Sequence, residues 1–391
     1  MDQIPSMEEI RRGDTTDVYF TRTMEVLRAL GKDRVLVEAE AFVKKFPDGY
    51  DYAVLAGIDD MHSLLAGRQV NVRAMAEGSL FLLEEPVFSI EGPYGAFCEM
   101  ETAMLGMICQ ASGIATKTSR IKHLAGDRTV LSFGARRMHP ALSTTIDRYA
   151  YVGGADGVSV VRSASFLGEA AMGTMPHALV LVMGDTVEAM RAFDGIVPAA
   201  VPRICLIDTL QDEKFEALRV AEALGDRLHG VRLDTPSSRR GDFRRLVQEV
   251  RWELDLRGFT RVKVFVSGGL GEEEVRDLAD VVDGFGVGTA LSNAPTLDFA
   301  LDIVEVEGVP FAKRGKHSGG KQVANCPSCH SRKVLPEAAG QQRCGCGTAM
   351  EPLLKPAMRE GKQIASPRAP REIRERVLSQ AARFRSAPER K

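Results

Sequence analysis

Residues 262–289 read VKVFVSGGLGEEEVRDLADVVDGFGVGT, and this stretch sets the fold class. Val262, Val264 and Val266 form a β-branched run that stops at Ser267-Gly268-Gly269, after which residues 272–279 have helical composition. The pattern then repeats, because Val281, Val282 and Phe285 lead into Gly286-Val287-Gly288-Thr289. Each glycine pair removes the Cβ that would keep an anion from backbone N–H groups. Parallel barrels commonly seat a phosphate on the loops after their last two strands. Ser267, Gly268, Gly269, Gly288 and Thr289 are therefore candidate phosphate-binding residues.

Upstream, short apolar runs at 130–133, 158–161, 204–207 and 231–233 alternate with helical stretches, as parallel βαβ units do. Six strands are clear, and the apolar run 177–183 fits helix or strand by periodicity alone. The reading is α/β: an irregular, incomplete (β/α) barrel over 116–294. Barrel chemistry sits at the C-terminal ends of strands. Phe133, Arg136, Ser159, Asp208, Arg232 and Asp234 fall there. Asp208 closes ICLID and Asp234 closes VRLD, a carboxylate pair suited to Mg²⁺ or ribose hydroxyls. Arg136 and Arg232 are forked donors for a carboxylate or a phosphate.

Residues 1–115 read as an N-terminal α/β or mainly antiparallel domain, completed by about 295–320. Val35, Val37, Ala39, Ala41 and Val43 alternate along a strand, and Tyr19 and Phe20 open a helix in the manner of core anchors. Phe97, Met100, Met104, Leu105 and Ile108 recur at helical spacing and mark the helix leading to the barrel. At 391 residues, 44% apolar content and a net charge of -2, the chain can bury a large core. Its mixed charges argue against a dedicated nucleic-acid or membrane-surface protein. No segment approaches a membrane span and the start lacks an apolar leader, so a cytoplasmic location is expected.

Seven cysteines divide into two kinds. Cys98, Cys109 and Cys205 lie in apolar segments as buried thiols. Cys326, Cys329, Cys344 and Cys346 pair a CxxC with a CxC, which suits a tetrahedral thiolate zinc site better than disulfides in a reducing compartment. Residues 321–391 thus read as a zinc-knuckle-like module followed by a basic amphipathic helix over 371–385, a solvated packing element.

Seven pieces in order resemble the nicotinate phosphoribosyltransferases, one branch of the type II phosphoribosyltransferases that also include the nicotinamide and quinolinate enzymes. They are Thr16-Asp17-Val18-Tyr19, Phe133-Gly134-Ala135-Arg136, Gly157-Val158-Ser159, Gly173-Thr174-Met175-Pro176-His177, Arg232-Leu233-Asp234, Ser267-Gly268-Gly269 and Gly286-Val287-Gly288-Thr289. The four-cysteine module resembles the archaeal-type branch. The resemblance implies that the pyridine nitrogen of nicotinate attacks C1 of phosphoribosyl pyrophosphate, giving nicotinate mononucleotide and pyrophosphate in NAD biosynthesis. It implies a pyridine ring held between Phe133 of one subunit and Tyr19 of another, hence a homodimer or higher homo-oligomer with a shared site. It also implies that ATP phosphorylates His177, coupling hydrolysis to synthesis.

Chemistry agrees with that expectation. A neutral pyridine nitrogen needs no general base, so catalysis rests on positioning and on stabilising a cationic ribosyl centre and the departing pyrophosphate. Nicotinamide enzymes carry an Asp where this chain has Ser159, and a neutral Ser beside arginines favours the acid. Quinolinate, with two carboxylates, should demand a denser basic pocket. The segment Thr235-Pro236-Ser237-Ser238-Arg239-Arg240-Gly241-Asp242 departs from the Ser-Gly-Asp turn of many relatives. A competing reading of another class is a zinc-containing nucleic-acid-binding regulator on a barrel scaffold.

Overall fold

The computed structural model describes residues 3–364 and 366–384; Arg385, the last residue of the predicted C-terminal helix, lies outside the described residues. Two compact units form, one from 117–294 and one from 1–116 together with 295–391.

In the first of these, six strands lie side by side in the order Gly157–Val158, Thr129–Ser132, Gly284–Val287, Lys263–Ser267, Gly230–Leu233, Ile204–Leu206. Every pairing is parallel. The two edge strands do not pair with each other. The barrel is therefore incomplete, as the alternation of short runs and helices implies. Between those edges the chain forms helices Val161–Leu167, His177–Met183 and Thr186–Ile196 instead of further strands. The ambiguous run 177–183 is helical because its flanks decide it. Pro176 is extended at the N-cap and Gly184, at φ 81°, stops the helix.

Two strand limits differ from the periodicity. The run at 158–161 is strand only to Val158, because its partner ladder ends where Ser132 pairs with Val158, and Val161 opens a helix. Val281 and Val282 precede their strand, which starts at Gly284. Asp283 sits between them and accepts the Val264 N–H with its carboxylate at 2.8 Å.

The other unit holds a seven-stranded antiparallel sheet in the order Val309–Pro310, Phe299–Val306, Leu36–Val43, Phe88–Pro93, Asn71–Ala74, Lys355–Arg359, Lys362–Gln363. The alternating residues Val37, Ala39, Ala41 and Val43 are buried in one core with Phe81, Phe88, Phe97, Met104 and Ile108. Phe20 packs on Met24 and Cys98. Tyr19 beside it is 57% exposed, so only one of the two aromatics is a core anchor.

A three-stranded sheet of Arg332–Pro336, Lys321–Asn325 and Glu351–Pro352 carries the four clustered cysteines on its loops. It is tied down by Arg332, which donates to Glu85 at 2.7 Å and to the Leu80 carbonyl at 2.8 Å. The C-terminal helix Pro370–Phe384 buries Ile373, Val377 and Ala381, so it is a packing element. Among the described residues no helix is long and apolar enough to cross a membrane.

Candidate active site

The C-terminal ends of the parallel strands gather most of the expected residues. Asp208 follows Ile204–Leu206, Asp234 follows Gly230–Leu233, Ser267 ends Lys263–Ser267, and His177 begins the helix His177–Met183. His177 Nε2 lies 3.5 Å from Asp234 Oδ2 and 3.8 Å from Asp208 Oδ2. Its other nitrogen, Nδ1, meets the Thr209 hydroxyl at 2.9 Å. One ring thus bridges two carboxylates and a hydroxyl, and Thr209 fixes which way it faces.

Asp208 is the least hydrated member, with a side chain 1% exposed and both oxygens lacking a hydrogen-bond partner. Burial pushes its carboxyl up from the ordinary range, against the pull of His177. A buried carboxylate without partners has the donor chemistry to receive a cation or substrate hydroxyls. Asp234 is better satisfied, since Ser267 Oγ donates to Oδ1 at 2.8 Å.

Glycine is required next to that bond. Gly268 has φ 87°, and a Cβ there would stand 2.8 Å from Asp234 Oδ1. Arg240 closes the same turn, donating to the Gly268 carbonyl at 2.6 Å and to that of Thr235 at 2.9 Å. The unusual segment 235–242 is thereby tied to the glycine turn through its own arginine. Downstream, the helix Glu272–Leu278 is already capped, because Glu274 accepts the Gly271 N–H at 2.8 Å. The second turn differs. Gly288 caps the short helix Thr289–Ser292, which has no acidic residue in its first turn, so this turn is the more hospitable to an anion.

Phe133 and Arg232 form the other side of the site. The Arg232 guanidinium carbon lies 5.8 Å from the centre of the Phe133 ring. Burial pulls the guanidinium's proton affinity down, while Asp234 and Asp208 oppose that shift, and Nε is buried without a partner. The Phe133 N–H bonds the Val287 carbonyl at 2.8 Å. Its ring packs against Gly286, where a Cβ would clash with two ring carbons. Ser159 is half-buried just after Gly157–Val158. Arg136 is exposed on the 3₁₀ turn Ala135–Arg137. Tyr19 belongs to the other unit, on the helix Val18–Ala29.

Thr209 and Arg240 escaped the sequence reading. Thr209 was signalled by its place directly after a strand-end Asp, and Arg240 by the departure of its segment from the usual turn. The four module cysteines converge, with all four sulfurs within 4.8 Å of one another. The sulfurs of Cys326 and Cys346 are 3.5 Å apart, and those of Cys329 and Cys344 are 3.3 Å apart. This cluster can hold a metal ion. Cys98 and Cys205 are buried and Cys109 is half-buried, as their apolar surroundings imply.

Residues 17–112 and 114–302 match the family models described as "Quinolinate phosphoribosyl transferase, N-terminal domain" and "Quinolinate phosphoribosyl transferase, C-terminal domain". The nicotinate phosphoribosyltransferase pncB1 of Mycobacterium tuberculosis is 30% identical over 324 residues, covering 73% of this chain and 71% of that one. The chain belongs to the nicotinate phosphoribosyltransferase family. A second member from that organism, pncB2, is 29% identical over 372 residues, covering 83% of this chain and 77% of the other. Among solved structures, the nicotinate-nucleotide pyrophosphorylase of Pyrococcus furiosus is 51% identical with a TM-score of 0.96, covering 99% of this chain and 100% of that one. Human nicotinic acid phosphoribosyltransferase, at 21% identity and a TM-score of 0.76, shares the fold over 94% of both chains.

Proposed function

We propose that the strand-end residues carry out the family reaction with the roles derived below. The chain is a nicotinate phosphoribosyltransferase acting in NAD biosynthesis. In the reaction the pyridine nitrogen's lone pair forms the bond to C1 of phosphoribosyl pyrophosphate. The C1–oxygen bond to pyrophosphate breaks, and its electron pair leaves with the pyrophosphate. No proton moves, so the site needs positioning and charge stabilisation, not a base.

The convergence of His177, Asp208, Asp234 and Ser267 carries the proposed roles. The two carboxylates sit where a ribosyl centre would gain positive charge. The unpartnered oxygens of Asp208 also fit a divalent cation. Asp208 and Asp234 would hold Mg²⁺, which neutralises pyrophosphate charge when bound. The turn at Gly288-Thr289, with Ser267, Gly268 and Gly269, receives the 5′-phosphate. Arg232 takes the nicotinate carboxylate beside the Phe133 face, helped by Arg136, and neutral Ser159 accepts the acid form.

Arginine supply favours nicotinate over quinolinate. Arg240 spends its donors on the Thr235 and Gly268 carbonyls, which leaves Arg232 as the desolvated cation for a single carboxylate. Tyr19, exposed on its helix, supports capping of the ring by a second copy of the chain, hence a homodimer or larger assembly with shared sites. We assign His177 as the group phosphorylated by ATP, with ADP released and the phosphoryl group later lost to water. A cytoplasmic location accords with four clustered thiols that stay reduced. Cys326, Cys329, Cys344 and Cys346 would hold structural Zn²⁺; a tetrahedral thiolate site has sulfurs about 3.8 Å apart, close to the spacing here.

The test of these roles is Asp208→Asn assayed with nicotinate and phosphoribosyl pyrophosphate. Loss of turnover by about a hundredfold or more, with the fold retained, is expected from removing one charge-stabilising group. Near-normal turnover would remove Asp208 from the mechanism.

A further inference from the structure

The unit formed by 1–116 and 295–391 contains a cavity of about 840 Å³ that shares no residue with the strand-end site. That volume is in the range of small-molecule and cofactor pockets. Five lysine or arginine side chains line it against three carboxylates. One of the three, Glu77, is already spent. It accepts the N–H groups of Gly57, Ile58 and Asp59 at 2.9, 2.8 and 3.3 Å, and so satisfies the start of the helix Ile58–Leu65.

His62, on that helix, is 6% exposed, lines the cavity, and has no partner on either ring nitrogen. A buried imidazole normally bonds through at least one nitrogen, because a buried polar group left unmet carries its full desolvation cost. Arg376, from the helix Pro370–Phe384, gives one Nη to Ser79 Oγ at 3.1 Å and keeps a buried Nε without partner. Its surroundings are cationic. Burial lowers its proton affinity first, and Arg368 and Arg332 add to that effect. Arg332 is neutralised by Glu85 at 2.7 Å, whereas Arg368 and Arg376 face the cavity together. Ile58, Met75 and Pro356 add apolar side chains to the lining.

Unmet donors, surplus positive charge and apolar side chains describe the complement of one kind of molecule. We propose that this cavity binds a phosphorylated small molecule of nucleotide size. Its phosphate meets Arg376 and Arg368, its ring or other apolar part lies on Ile58, Met75 and Pro356, and His62 takes a polar group of the ligand. None of the named residues has a role in the phosphoribosyl chemistry proposed above, so occupancy and turnover can be measured separately.

The test uses ADP as probe on the full chain, by titration calorimetry and by a crystal structure of the same preparation soaked in submillimolar ADP. ADP should occupy the cavity with phosphate oxygens in hydrogen-bond reach of Arg376. Arg376→Gln should weaken that binding about tenfold or more while nicotinate turnover stays normal. His62→Leu provides a second variant that keeps the helix packing, and it too should weaken ADP binding. ADP found only at the strand ends, a cavity holding only solvent, or unchanged cavity binding in both variants would each overturn the proposal.

Discussion

The Nε2 atom of His177 stands 3.5 Å from Oδ2 of Asp234, a carboxylate whose other oxygen is already held by Ser267. A change of charge on the imidazole is therefore felt directly by the group assigned to the ribosyl centre. His177→Ala should lose ATP stimulation and the accompanying ADP release, yet keep slow ATP-independent synthesis. Thr209→Val, which removes the Nδ1 partner, should reduce the ATP effect in the same direction. Parallel assays of ADP and mononucleotide check both, and full stimulation in His177→Ala would make His177 a structural histidine.

Gly286 gives a steric handle on the ring pocket. An alanine Cβ would come within 2.4 Å of the Phe133 ring and push it from its seat. Overpacking of this kind costs about 1–3 kcal/mol. Gly286→Ala should therefore raise KM for nicotinate while leaving KM for phosphoribosyl pyrophosphate nearly unchanged. Equal effects on both constants would show that Phe133 does not hold the pyridine ring.

Metal content tests the cysteine cluster. Elemental analysis of freshly purified protein should find about one zinc per chain, because four thiolates complete a closed tetrahedral site. A strong chelator should lower the melting temperature and leave turnover of the still-folded protein intact, since His177, Asp208 and Asp234, the residues proposed for the chemistry, belong to the other unit. Zinc-free protein of unchanged stability would contradict this.

His62 makes stability depend on pH. Burial pulls its ring from an ordinary value of 6.5 down to about 4. Between those values the unfolded chain holds a proton that the folded chain does not, so stability falls as pH drops through that window. The loss should approach about 3 kcal/mol near the acid end. Denaturant melts across this range should show it for the unliganded wild type and show a flatter profile for His62→Leu. Identical profiles would mean that His62 is hydrated in the folded state.

Much of this was legible in the sequence because strand ends and glycine turns are local signals. Asp208, Asp234, Ser267 and His177 are each marked by a short motif, and the strand ends and the start of the helix His177–Met183 bring all four together. The four cysteines were readable from spacing alone. Pairwise fit was not readable. That Gly286 exists to seat Phe133 depends on two strands, Gly284–Val287 and Thr129–Ser132, lying side by side, and no local pattern specifies neighbours. Arg240 likewise acts through a tertiary bond to the Gly268 carbonyl. The end of the strand at Val158 is hidden from periodicity because β-branched Val160 and Val161 continue the pattern, whereas the partner ladder stops at Ser132.

The most direct measurement offers nicotinate, nicotinamide and quinolinate separately, each with phosphoribosyl pyrophosphate and ATP, and identifies the mononucleotide formed by chromatography. With one desolvated arginine for one carboxylate and a neutral Ser159 nearby, nicotinate mononucleotide should form from nicotinate with a kcat/KM at least about a hundredfold above either alternative. Preferential use of nicotinamide or quinolinate would contradict the account.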